Sequence, residues 1–324
     1  MGTKTFKNII LEKKFLRFSF WKKILKRNFF AVKNRIKEFK PKVTPFPFKK
    51  WENIDAKNFV PPETTGWERR WYGYWEMEKT LSPEFRKFCE EISKVEKGLT
   101  EEEFESQCFL SIINEIKDEQ IKIFELGAGA GRISLELAGI VDFRLVPNAE
   151  NKTYRCLAVE AEPTHFEWIV EHFKKQNING EVLRGVVSDR KGFVNFDTSL
   201  DPASFYGQSI TYGSGDRVKS FTVDELIKKY NFDKVNIAHT DVQGNEFNVI
   251  KGAENSIRDG LVDYWLIGIH EEYLAEEIVI FTKKFYDVIL HIPQKSGLTK
   301  HDFYGWVSIP SDGLLILRHK KVNK

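Results

Sequence analysis

The chain has 324 residues and a formal net charge of +3, with 41% apolar and 14% aromatic content. That much apolar material supports a packed core and excludes global disorder. Cys89, Cys108 and Cys156 show no C-x-x-C pairing and no histidine cluster beside them, which excludes a disulfide framework and the common zinc knuckles and fits a reducing compartment.

The charge is uneven. Residues 1–50 carry +14 (16 Lys/Arg against 2 Glu), leaving −11 for residues 51–324, so a basic-surface argument applies to the arm alone. Within it, Phe18, Trp21, Leu25, Phe29, Val32, Ile36 and Phe39 recur at spacings of 3 and 4, one apolar stripe of a helix. Lys22, Lys26, Arg27, Lys33, Lys37 and Lys40 are among the cations that fall largely off that stripe. A basic amphipathic helix over 18–40 can lie in the plane of an anionic membrane; alternatively, its stripe packs on the body of the protein or on a second subunit, as in a homo-oligomer. Pro41, Pro45 and Pro47 read as an extended linker that closes this first segment, 1–50. No apolar leader is visible, and no run approaches the ~20 residues of a spanning helix. The expectation is a cytoplasmic protein, peripheral on the inner face of the membrane if the arm is its anchor.

Residues 51–117 form an aromatic-rich segment that reads as a helical N-terminal extension. "GWERRWYGYWEMEK" (66–79) brings Trp67, Trp71, Tyr72, Tyr74 and Trp75 beside Arg69 and Arg70. Aromatics of this kind pack helices onto a sheet, and a few, with Trp71, Trp75 and Arg70 as candidates, can line a groove for a sugar ring. "SPEFRKFCEEISKV" starts with Ser82 as N-cap and Pro83 at the first helical position. Thr100 and Glu103 make a capping box before another amphipathic helix.

From 118 to 324 strands alternate with helices. "IKIFEL", "YRCLAVEA", "GEVLRGVVS", "KVNIAHTDV" and "VDYWLIGIH" read as strands. Between them "GRISLELAGI", "PTHFEWIVEHFKKQN", "TVDELIKKYN" and "NEFNVIKGAENSIRDG" read as helices, and "LAEEIVIFTKKF" follows the fifth strand. "YDVILHI" and "GLLILRH" close the chain with no helix between them, which predicts an antiparallel edge pair. The class is α/β: a parallel sheet with helices on both faces.

In open α/β sheets ligands sit beyond the carboxyl ends of the strands. There the first strand ends at Glu125, followed by "GAGAG" with Gly127, Gly129 and Gly131. The loop fits neither the dinucleotide fingerprint, since Arg132 stands at the third glycine position, nor the phosphate-binding P-loop. Glu160 ends the second strand, Ser188-Asp189 the third, Asp241 the fourth and His270-Glu271 the fifth. An acid at Glu160 suits the hydroxyls of a ribose. A glycine loop without a phosphate partner, within an acidic rim, suits S-adenosyl-L-methionine, whose sulfonium is favoured by nearby acids.

"VNIAHTDVQGNEFNVIKGAENSI" (235–257) resembles the signature of FkbM-type S-adenosylmethionine-dependent methyltransferases, with Asp241, Gln243, Gly244, Glu246, Lys251, Gly252 and Ala253 at the matching places. "FELGAGAGR", "AVEAEP", "GVVSDRKGFVNF" and "LIGIHEE" are similar in order, so the resemblance covers roughly residues 118–320. It departs at His239, where a Lys is frequent, at Gln243 for Glu, and at Gly268 for an acid. The resemblance implies a Rossmann-like class I methyltransferase fold, a seven-stranded, mostly parallel sheet with one antiparallel strand near the edge. It implies O-methylation, often of sugars of surface polysaccharide, glycolipid or secondary metabolites. It also implies that Gly127, Gly129 and Gly131 hold the methionine end of the cofactor, Glu160 the ribose and Ser188 and Asp189 the adenine, with Asp241 near the transferring methyl.

A sugar hydroxyl needs a base or a metal as it attacks. Asp241, His270 and His239 are the candidates. His239 lies two residues before Asp241 on an alternating strand and so shares its face. No tight spacing supports a metal site. A nucleic-acid methyltransferase using the basic arm, and a binding protein that keeps the fold without catalysis, are the competing readings. The first lacks the Asn/Asp-Pro-Pro-aromatic loop of many base-amine methyltransferases.

Overall fold

β3 (Gln120–Leu126), β4 (Thr153–Glu160), β10 (Val235–Thr240) and β11 (Val262–Ile269) form the centre of a sheet. Their near-continuous apolar runs are what strands covered on both faces require, and every residue of β10 is buried. A computed structural model describes residues 39–52, 67–70, 72, 74–80, 82–83, 87, 99–199, 201–203, 206–211, 213, 215–294, 297–301, 305–309 and 312–323. The helical stripe over 18–38, Trp71 and most of the 82–95 helix lie outside these residues, as does the side chain of Trp75. The chain divides into residues 1–40 and 41–324, and all elements below belong to the second unit.

The main sheet has seven strands in the order β12-β15-β11-β10-β3-β4-β5, with β5 spanning Gly180–Arg184, β12 Tyr286–Ile292 and β15 Gly313–His319. β15 runs antiparallel to both β11 and β12, and the other pairings are parallel. The chain fills one half through β3, β4 and β5, then crosses back to β10 and β11. The switch point therefore lies between β3 and β10, where a parallel sheet opens its binding crevice.

α1 (Glu101–Glu115) carries the expected capping box: the Glu103 amide donates to Thr100 Oγ1 at 3.2 Å, and the Thr100 amide to Glu103 Oε2 at 2.8 Å. Its Phe104, Cys108, Phe109 and Ile112 share one core with Ile121 and Ile123 of β3. α2 (Arg132–Asp142) packs on β4 and α3 (Pro163–Gln176) covers β4 and β5. Trp265, the largest fully buried side chain among the described residues, donates from Nε1 to Tyr286 Oη at 3.3 Å and so ties β11 to β12.

Five stretches differ from the sequence-based expectation. "WERRWYGYWEM" forms an antiparallel hairpin, β1 (Trp67–Arg69) with β2 (Trp75–Met77), where helix is expected. "GEVLRGVVS" is not one strand. It breaks at Gly185, where a side chain would meet the Phe221 ring at 2.6 Å, and β6 (Val186–Val187) joins a second sheet of order β6-β9-β7-β8. That sheet, with β7 (Gly192–Phe196), β8 (Ile210–Thr211) and β9 (Asp216–Phe221), precedes α4 (Val223–Lys229). "NEFNVIKGAENSIRDG" gives α5 (Glu246–Lys251) and α6 (Glu254–Asp259), separated where Gly252 presses against the Ser188 carbonyl. After α7 (Glu272–Thr282), a hairpin of β13 (Gly297–His301) and β14 (Gly305–Ile309) intervenes between β12 and β15.

The fifth difference is the proline segment. Residues 41–48, expected as an extended linker, pack in part on the domain, with Val43 bridged to Val288. The Thr44 amide donates to Val288 O at 2.7 Å along the edge strand β12, and Phe46 and Phe48 are each 6% exposed. Prolines cannot donate to a ladder, so they suit a chain that covers a sheet edge.

Candidate active-site cleft

A cleft of about 280 Å³ opens at the carboxyl ends of β3, β4 and β10, with the glycine loop on one side and the turn after β10 on the other. Gly127, Gly129 and Gly131 all adopt positive φ (79°, 55° and 85°), which explains the residue type at each. The loop is pinned to β4: the amides of Gly127 and Ala128 donate to Val159 O at 3.0 and 3.1 Å. A side chain at Gly127 would sit 1.8 Å from the Asp241 carbonyl, so the loop touches the end of β10 backbone to backbone.

Gly131 begins α2 without a capping side chain. Glu125 replaces it. Its carboxylate, 2% exposed, accepts from the amides of Ile133 and Ser134 at 2.9 and 3.0 Å and from Ser134 Oγ at 2.5 Å. Burial raises its pKa, while these bonds oppose the rise.

Glu160 is buried at the end of β4. Its Oε1 accepts from the amides of Ala161 and Glu162, and its Oε2 from the amide of Gly129, each at 2.7 Å. A carboxylate offers about four acceptor directions, so one remains for a ligand hydroxyl. A second requires release of the Gly129 amide. Burial lifts the Glu160 carboxyl to about 7 against these backbone bonds.

Asp241 follows β10, and its side chain is 44% exposed to the cleft it lines. Gln243 Nε2 donates to Asp241 Oδ1 at 3.2 Å, and His270 Nε2 stands 3.3 Å from the same oxygen. Water reaches this carboxylate, yet the surrounding walls desolvate it and raise its pKa, with His270 and His239 opposing and Glu105 and Glu246 adding to the rise. His270 itself does not line the cleft. Its Nδ1 donates to Glu246 Oε1 at 2.7 Å, and Asp312 Oδ2 lies 3.7 Å from Nε2. Burial lowers its pKa, but the Glu246 bond and three carboxylates outweigh that and bring it to about 9.

His239 lines the cleft and is 5% exposed. Its Nε2 donates to Glu105 Oε1 of α1 at 2.9 Å, and Glu105 also pairs with Arg132. Burial opposes charge on Glu105, but His239 and Arg132 hold it down at about 2. Arg70 lines the mouth, with Nη2 donating to Glu102 Oε1 at 2.9 Å and Nε 3.5 Å from Glu76 Oε2. The hairpin is fixed to the glycine loop through His172: the Met77 amide donates to its Nε2 at 3.0 Å, and its Nδ1 donates to Ala130 O at 2.8 Å.

The structure thus brings together Glu125, Gly127, Gly129, Glu160, His239, Asp241 and Arg70, with His270 behind Asp241; Gly131, expected at the cofactor, does not line the cleft and instead turns the chain into α2 against Ile169. Ser188 and Asp189 do not line the cleft. Asp189 faces Lys251 Nζ at 3.4 Å and Arg190 Nε at 3.5 Å instead. Glu105, Glu102 and Glu76 were missed by sequence reasoning. The signal for Glu105 was an acid on the buried stripe of an amphipathic helix, where acids are rarely found unpaired. Among the described residues no group of three or more His, Cys, Asp or Glu side chains is arranged to hold a metal ion.

Strand order, the single reversed strand and a glycine-floored cleft at the switch point are those of a class I methyltransferase, which takes its methyl group from S-adenosylmethionine. The glycine cradle and the buried Glu160 beside it fit that cofactor. Comparison with known proteins narrows the class: the Methyltransferase FkbM domain matches residues 127–294, and the chain belongs to that family. Over 113 residues the chain is 28% identical to the hexuronic acid methyltransferase AglP of Haloferax volcanii, a match covering 35% of this chain and 46% of that protein. The chain thus matches about half the length of this curated relative. Among solved structures it is similar to an rRNA methylase from Streptococcus thermophilus (10% identity, 66% of this chain and 95% of that one, TM-score 0.38). It is also similar to fibrillarin from Aeropyrum pernix (12% identity, 65% and 74%, TM-score 0.35).

Proposed function

We propose that this methyltransferase transfers its methyl group to a sugar hydroxyl of a glycan or glycolipid, with Asp241 as the proton acceptor. The observation that carries this is the Asp241 carboxylate, open to the cleft while its Oδ1 is held from behind by Gln243 and His270. When bound, S-adenosylmethionine supplies an electrophilic methyl carbon on a sulfonium. The backbone of Gly127 and Gly129 and the Glu160 carboxylate would hold it.

Displacement at carbon depends mostly on positioning of the nucleophile, and a sugar hydroxyl becomes a better nucleophile as its proton leaves. Asp241 Oδ2 takes that proton in this reading, and its raised pKa improves it as a base. His270 has carboxylates at both ring nitrogens and a pKa of about 9, so at neutral pH it is an imidazolium that orients Asp241 and is no proton acceptor. His239, joined to Glu105, orients the end of β10. Arg70 stands at the mouth as a donor to the acceptor's hydroxyls, beside Trp71 and Trp75 in sequence.

The name of the Haloferax relative supports a carbohydrate acceptor. Tritium transfer from labelled S-adenosylmethionine into a glycan or glycolipid fraction tests it. Label in RNA, with none in glycan, overturns it. The basic amphipathic segment over 18–40 is proposed to hold the enzyme at an anionic membrane. This predicts flotation with anionic but not neutral vesicles, weakened by salt and lost without residues 1–45. A truncated chain that changes oligomeric state, with an intact one that ignores vesicles, assigns the stripe to protein packing.

A further inference from the structure

Gln208 is 6% exposed and lines the cleft, and its Nε2 has no hydrogen-bond partner among the described residues. A buried donor without an acceptor is costly and calls for an explanation, and at the wall of a binding cleft a ligand can supply one. Its surroundings define that ligand. Ala161, Val186 and Phe196 belong to one apolar cluster with Ile210 packed against it, and all four line the same cleft as Gln208. Ala161 directly follows Glu160, whose carboxylate meets the glycine loop. The lining of the cleft therefore combines an acid suited to ribose hydroxyls, an apolar cluster and a buried amide.

A planar heteroaromatic ring with an acceptor nitrogen in its plane matches such a lining, and an amide is complementary to an adenine edge. We propose that Gln208 reads the adenine of the cofactor, donating from Nε2 to a ring nitrogen, while Ala161, Val186, Phe196 and Ile210 enclose the ring. This rests on the reading that the cleft holds S-adenosylmethionine. It moves base recognition from Ser188-Asp189, which faces Lys251 and Arg190, to the small second sheet. That sheet contributes Val186 from β6, Phe196 from β7 and Ile210 from β8, with Gln208 two residues before Ile210. Its function would then be to build the base pocket.

The test is calorimetry of the full chain with S-adenosylhomocysteine, alongside thermal unfolding without ligand. Gln208→Met keeps the length of the side chain and removes the donor. It should weaken binding about tenfold, the value of one neutral hydrogen bond, while the ligand-free Tm stays level or rises because an unmet polar group is gone. Gln208→Glu should weaken binding further at pH 8, where a carboxylate opposes the ring nitrogen. Unchanged affinity in Gln208→Met overturns the proposal. So does a loss of affinity accompanied by a lower ligand-free Tm, which marks a structural role. A parent chain that binds no S-adenosylhomocysteine overturns the cofactor reading itself and the base slot with it. That outcome is distinct from a parent that binds and a variant that binds equally.

Discussion

His239 Nε2 lies 2.9 Å from Glu105 Oε1, which joins the strand leading to Asp241 to a helix outside the matched family domain, 127–294. Glu105 also pairs with Arg132, at the start of the helix that the glycine loop feeds. One carboxylate thus fastens both walls of the cleft to α1. Removing it leaves an imidazole and a guanidinium in a mostly buried site without their shared partner, and breaking such a pair costs about 3–5 kcal/mol. Glu105→Ala should lose about 3 kcal/mol in urea unfolding. A loss below about 1 kcal/mol, typical of an exposed pair, would show that the link is ornamental. The acid side has a defined sign. Glu105 is held at about 2, below its ordinary value of 4.5, so its contribution is present above 4.5 and disappears as the pH falls through 2.

On the alkaline side several groups act together. Glu136 and Glu160 are raised to about 7 and Glu101 to about 8, chiefly by burial, and His270 rises to about 9. A group raised in the folded state stabilises it fully below its unfolded pKa and loses that contribution as pH rises through the folded value. For the three carboxyls the loss begins above about 4.5, and for His270 above about 6.5. The ligand-free Tm should therefore fall steadily from pH 6.5 to 9. Burial lowers His165 and His172, whose contribution is lost as pH drops below 6.5. A Tm that climbs between pH 6.5 and 9 would contradict these assignments.

The division of labour between Asp241 and His270 has its own kinetic signature. Asp241→Asn removes the proposed acceptor and should lower kcat at least a hundredfold, within the usual range for general-base catalysis, with S-adenosylhomocysteine affinity nearly unchanged. His270→Gln keeps a hydrogen-bonding side chain beside Glu246 but not the imidazolium beside Asp241. It should lower kcat less, and it should shift the acidic limb of the kcat profile to higher pH, because the opposing positive charge on Asp241 is gone. If His270→Gln abolishes turnover while Asp241→Asn retains it, the roles are reversed.

Much of the main sheet was legible because its strands are buried on both faces and read as apolar runs, "VNIAHT" most clearly, where every position is buried. The capping box at Thr100 and Glu103 was legible because a cap is local chemistry. The hairpin at 67–77 was not, since strands of three residues are too short to display a period of two. Counting to the end of "GEVLRGVVS" puts Ser188 and Asp189 on the rim, but the chain leaves that strand early. At Gly185 it crosses to the second sheet, which takes those two residues away from the cleft. The Glu105–His239 bond spans 134 positions, and no local pattern reports a pairing that only tertiary packing creates. Glu160 lies between these cases: its place beside the glycine loop followed from strand order, and its three backbone bonds did not.

The glycine loop separates a structural requirement from a ligand requirement within three residues. Gly127 has φ of 79°, and a Cβ there would stand 1.8 Å from the Asp241 backbone oxygen, which no rotamer change relieves. Gly127→Ala must shift either β10 or the loop, and should cost at least about 3 kcal/mol from strain and overpacking together. Gly129 has φ of 55°, a conformation that L-residues adopt at a cost of about 1–2 kcal/mol. Among the described residues its Cβ would meet only the Tyr206 ring, at 3.1 Å, and an aromatic side chain can yield a few tenths of an ångström. Tyr206 is stacked on His165 with centroids 4.4 Å apart and donates to Thr80 O at 2.8 Å, so the small shift is made against both contacts. Gly129→Ala should therefore fold, with a loss of about 1–2 kcal/mol. It should nonetheless bind S-adenosylhomocysteine at least tenfold more weakly, because the added methyl crowds the floor of the cleft beside Glu160. Urea unfolding and calorimetry on the two variants give four numbers. The expected order is that Gly127→Ala loses more stability, and that Gly129→Ala loses affinity out of proportion to its stability. Equal affinity in Gly129→Ala and the parent chain would mean that the loop shapes the fold and does not touch the cofactor.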